Sequence, residues 1–225
     1  MTPDRAIETA ADYADALMTS RRAKNALVLI LILILLVQLA LFFLIRFDVI
    51  KPPTLIDSAG TAAAATQPAP RDTWTMMHYV VGLTAFLGVA LSVVLSFVIM
   101  LILNIMLVGR LVGAGRLTSA YIWSIVAVFF FFPWQAFLNH VGLTPDEATF
   151  KIPGVLYTWY EVVDPEVGAK FPTDRTEVAL LKWFRYVVAP VVAVLLLLVI
   201  QIKSNRGLKQ ALGEADPSVD VDRTT

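Results

Sequence analysis

Only two histidines occur in the 225 residues, His78 and His140. His78 lies just before one long apolar run and His140 just after the next. Two imidazoles on opposite faces of a porphyrin make a bis-histidine haem site. This pair is therefore the one constellation here with the chemistry for a redox cofactor. Histidines at a membrane boundary more ordinarily act as polar anchors. No cofactor is expected, and haem or quinone binding through His78 and His140 stands as the alternative.

Other chemistry finds little support. Cysteine is absent, which excludes disulfides, thiolate catalysis, zinc–thiolate sites and iron–sulfur clusters. Asp146, Glu147, Glu161, Asp164 and Glu166 crowd one segment, but no spacing among them fixes a metal geometry. No HExxH, GxSxG, P-loop or GxGxxG pattern occurs. Neither a metal site nor a catalytic residue is expected.

The sharpest pattern is Thr84, Gly88, Ser92 and Ser96, one small residue at every fourth position. On a helix this makes a single stripe, and small side chains let two helix backbones approach closely within lipid. The stripe reads as a helix-packing face, within the chain or between chains. Gln38, Asn104 and Gln135 are the polar residues in or at the ends of the apolar runs, where an amide can bond a neighbouring helix. No Asp, Glu, Lys or Arg falls inside a run, which argues against a proton pump or ion-coupled transporter.

The elements that must carry these residues follow from composition. Hydrophobic residues make up 58% and charged residues 16%, with 18 Lys+Arg against 18 Asp+Glu. Soluble domains average about 45–50% apolar and about 25% charged. The balance excludes a water-soluble globule and a basic nucleic-acid binder. It specifies an all-α integral membrane protein.

A spanning helix needs about 20 apolar residues, and four such runs are predicted: 26–45, 79–108, 117–138 and 186–202. The first is interrupted only by Gln38, and its insertion is favourable by roughly 5–10 kcal/mol. Orientation follows from Arg21, Arg22 and Lys24 before it, Arg110 and Arg116 around the loop 109–116, and Lys203, Arg206 and Lys209 after the last. These three groups share one side, assigned to the cytoplasm. The expectation is a four-helix transmembrane bundle, N-in and C-in, in a bacterial inner membrane. Trp74, Tyr79, Trp134, Trp183 and Tyr186 mark its outer boundary, and Tyr121 and Trp123 its inner one.

Outside the spans, residues 1–25 are expected to carry a cytoplasmic amphipathic helix, with Ile7, Ala10, Ala11, Ala14, Leu17 and Met18 on one face. Residues 46–78 read as an extracytoplasmic linker holding Pro52, Pro53, Pro68 and Pro70. Residues 139–185 form the largest extracytoplasmic segment, about 44 residues before Trp183. Within it 152–163, IPGVLYTWYEVV, is expected to lie as an interfacial helix. Residues 203–225 are a cytoplasmic tail with a disordered end. An uncleaved first span is favoured over a signal peptide, whose apolar core is only about 7–15 residues.

The leading functional expectation is a non-enzymatic accessory or scaffolding subunit. Its partners are the lipid bilayer and a membrane protein or further copies of itself, with no nucleic acid. A third reading, after the redox one, is a channel or carrier for an uncharged or lipidic substrate.

Overall fold

A computed structural model describes residues 3–47, 73–134, 137, 154–157, 180 and 183–214. All regular structure among them is helical. The elements are α1 (Pro3–Arg46), α2 (Thr73–Val108), α3 (Ala114–Phe131) and α4 (Ala189–Ala211), the last entered through a π-turn over Phe184–Val188. Among the described residues four stretches are long and apolar enough to cross a membrane: Asp12–Arg46, Met76–Val108, Ala114–Phe131 and Phe184–Ala211.

α1 has 44 residues, about 66 Å at 1.5 Å per residue. It runs unbroken through the residues read as an N-terminal helix and a first span. No glycine or proline lies between Asp4 and Arg46 to stop it. α3 begins at Ala114 and ends at Phe131, earlier than the expected 138. Proline keeps the residue before it out of the helical region, so Pro133 releases Phe132 from the helix. Pro190 explains the π-turn. Its ring would strike the carbonyl one turn back in a regular α-helix. The wider turn, with the Ala189 N–H reaching the Phe184 carbonyl, relieves that crowding.

α2 and α4 close in the same way. After α2 the Arg110 N–H donates to the Leu107 carbonyl (3.2 Å) and the Leu111 N–H to that of Met106 (2.9 Å). After α4 the Gly213 N–H donates to Gln210 (3.2 Å) and the Glu214 N–H to Lys209 (2.9 Å). Each is a Schellman turn whose central residue is left-handed. Gly213 has φ 69° and Arg110 has φ 51°.

The packing divides into two compact units. One takes residues 1–33, 89–131 and 192–225. Its apolar core includes Ile99, Ile102, Met106, Leu117, Ala120 and Leu208. The α2–α3 loop meets α4 backbone to backbone, for a Cβ on Gly113 would lie 2.6 Å from the Gly207 carbonyl oxygen. The Ser124 hydroxyl of α3 donates to Ser96 of α2 (3.2 Å). Lys203 of α4 donates to Ser119 (2.7 Å) and lies 5.9 Å from the centre of the Trp123 ring.

The other unit takes residues 34–88 and 132–191. Its core is Leu41, Phe42, Ile45, Val81, Tyr157 and Tyr186. Phe42 stacks on Tyr186 at 4.8 Å and 11°, while Trp183 and Tyr157 meet the pair edge-on. In lipid such a cluster holds by packing rather than by exclusion of water, each aromatic pair adding about 0.5–1.5 kcal/mol. Tyr186 is therefore buried in this core.

Candidate functional site

The second unit holds buried backbone that is not helical. Of the expected interfacial helix only residues 154–157 are described; the rest of 139–182 lies outside the described residues apart from Leu180. These four form a bend and are buried. Unsatisfied peptide groups are costly at membrane depth, so non-helical backbone is tolerated there only when covered by protein or lining an aqueous cavity.

Three contacts seat the bend. A Cβ on Gly154 would lie 2.7 Å from the Phe132 carbonyl oxygen and 3.4 Å from the Trp134 nitrogen. Only glycine lets these two stretches of backbone approach so closely. Leu156 fills the space over Gly88, where a Cβ would meet its Cδ1 at 2.7 Å and Ile34 Cγ2 at 3.6 Å. The Tyr157 hydroxyl donates to the backbone carbonyl of Gln38.

Gln38 itself is buried on α1. Its amide nitrogen donates weakly to Thr84 Oγ1 at 3.4 Å, and the Thr84 hydroxyl turns back to the Val80 and Val81 carbonyls (2.8 and 3.0 Å). Gln38 Oε1 is a buried acceptor with no hydrogen-bond partner among the described residues. Its chemistry suits a single donor such as a water molecule.

The small-residue stripe thus faces this chain. Thr84 and Gly88 meet Gln38 and Leu156 in the second unit. In the first unit Ser92 is buried, with its hydroxyl on the Val89 carbonyl (2.7 Å), and Ser96 accepts from Ser124. His78 is exposed near the start of α2, its ring 5.7 Å from that of Tyr79. His140 and Gln135 lie outside the described residues. Among the described residues no group of three or more His, Cys, Asp or Glu side chains could hold a metal ion.

The first unit contains a buried polar site. Lys24 of α1 is fully buried. Its ammonium donates to three neutral oxygens of α4: Gln201 Oε1 (3.0 Å), Ser204 Oγ (2.7 Å) and Asn205 Oδ1 (2.7 Å). Gln201 Nε2 returns a bond to Asn25 Oδ1 (2.8 Å). No carboxylate contacts the ammonium among the described residues; the nearby acid Glu214 pairs instead with Arg21 at 3.2 Å.

Known protein families, curated proteins and solved structures yield no match to this chain.

The functional reading therefore rests on geometry alone. In the sequence Lys24 reads as one of the flanking charges that orient the first span. The signal that could have found its site is Gln201, Ser204 and Asn205 at i, i+3 and i+4, three neutral oxygen-bearing side chains on one face where α4 turns from apolar to polar. Both sites join elements through buried hydrogen-bonding and packing groups, and the Ser204 hydroxyl beside the Lys24 amine is closed off from solvent. They can lock helices together.

Proposed function

We propose that the chain is an integral membrane accessory or scaffolding subunit that packs against another membrane protein, with four spans and both termini in the cytoplasm. The observation that carries the reading is the seating of Leu156 on Gly88. The notch opened by the small residues is filled by the chain itself, which leaves outward faces for a partner and disfavours a solute path along that notch.

One outward face carries a specific mark. Phe97, Leu101 and Val108 are exposed on α2, and Asn104 is exposed among them at the same helical spacing. An amide on an apolar face is better served by a neighbouring helix than by acyl chains. The test is affinity purification from native membranes in mild detergent, with the proteins counted by mass spectrometry. A stoichiometric partner is expected. Asn104→Leu is expected to lower its recovery roughly threefold, the effect of one interhelical hydrogen bond, and Asn104→Gln to retain it. A lone chain, or equal recovery with Asn104→Leu, would count against this face.

The orientation has a direct test because the chain lacks cysteine. In intact cells a membrane-impermeant maleimide should label Ala62→Cys, and Thr225→Cys only after lysis. The reverse pattern would invert the topology.

A further inference from the structure

The two Schellman turns invite comparison. Gly213 takes the left-handed position after α4, where glycine has no steric cost. Arg110 takes the same position after α2, with a Cβ that the conformation disfavours. Its side chain is exposed, so interior packing does not retain it there. It forms no ion pair with a described residue. A residue held on unfavourable backbone points to a role, and here the only group offered outward is a guanidinium.

Its surroundings share its sign. The loop after α2 is fixed against α4 by the Gly113–Gly207 contact. α1 is fixed at that level by the Lys24 bonds and by the Arg21–Glu214 pair. Arg22, Arg206 and Lys209 are exposed on these elements and likewise form no ion pair with a described residue. Among the described side chains the opposing acids are Glu214, already paired, and Asp12 and Asp15. Asp15 lies about 10 Å along α1 from Arg22, away from the apolar stretch.

We propose that this basic end binds the phosphates of anionic phospholipids, with Arg110 as a direct headgroup ligand. A guanidinium matches a phosphodiester with two parallel hydrogen bonds, and clustered cations beside a span attract anionic lipid. The proposal rests on the reading that the chain spans a membrane. Failure of that reading is separately visible, as a protein that stays in solution without detergent.

The test is native mass spectrometry of the full chain equilibrated with equal phosphatidylglycerol and phosphatidylcholine. The wild type should retain phosphatidylglycerol preferentially. Arg110→Gly should cut that preference about fivefold while raising the apparent Tm in neutral detergent, because glycine suits the turn. Arg110→Gln, which keeps a Cβ in the turn, should lose as much lipid preference. Millimolar inorganic phosphate should not displace the lipid. Equal retention of both lipids by the wild type, an unchanged preference in either variant, or displacement by phosphate would overturn the proposal.

Discussion

Gly113→Ala is expected to lower the apparent Tm in detergent by ~10 °C. Two costs add at this position. Gly113 has φ 95°, where an L residue carries about 1–2 kcal/mol of steric strain. The new Cβ would also lie 2.6 Å from the Gly207 carbonyl oxygen and 3.1 Å from Gln210 Cβ. Backbone cannot yield as a flexible side chain does, and overpacking of this kind costs about 1–3 kcal/mol. Each kcal/mol moves Tm by about 2–4 °C in a chain of this size. Gly115 supplies the control two residues away. A Cβ there meets nothing within 4 Å, so Gly115→Ala should leave Tm unchanged or raise it slightly. Tryptophan fluorescence during heating reads both variants. Equal melts for the two would mean that the loop after α2 does not rest on α4.

Lys24→Met is expected to cost about 3 kcal/mol, since hydrogen bonds to a charged group contribute about 1.5–3 kcal/mol each. The change removes three such bonds and leaves the buried Ser204 hydroxyl without its ammonium donor. The whole expected loss is smaller than the sum because burying an uncompensated ammonium is itself costly. Gln201 and Asn205 are also only half-buried, so water can replace part of what they lose. That balance gives a sharper measurement. Adding Ser204→Ala and Asn205→Leu to Lys24→Met removes acceptors together with the donor, and should recover most of the stability. A Lys24→Met protein that melts with the wild type would show that desolvation cancels the bonds entirely.

The four apolar helices were legible because composition and run length are local properties. Gly213 after α4 is the kind of residue that closes a helix, because glycine takes the left-handed position without steric cost. Pro133 was equally visible, yet the apolar residues beyond it drew the expected third span past the break. What could not be read is which way a residue faces. Thr84, Gly88, Ser92 and Ser96 announce close packing, but only the tertiary arrangement sets Leu156 on Gly88 and Ser124 beside Ser96. Lys24 looked like one more flanking cation because its three partners lie about 180 residues away. Residues 154–157 looked interfacial because valine, leucine and tyrosine suit a lipid boundary and a bundle interior equally.

The π-turn before Pro190 carries one residue more than the α-helix it leads into requires. It acts as a phase shift, so side chains above the turn are offset around the axis from the positions that counting backward from Ala193 would assign. Arg185 and Tyr186, adjacent in the chain, are both buried there. The proline pins the offset in place, because a bulge moving past it would need the amide hydrogen that Pro190 lacks. In an alignment of related chains, a single-residue gap in 184–188 would therefore leave the rest of α4 in register. Below the proline such a gap would turn every preceding side chain to a new face.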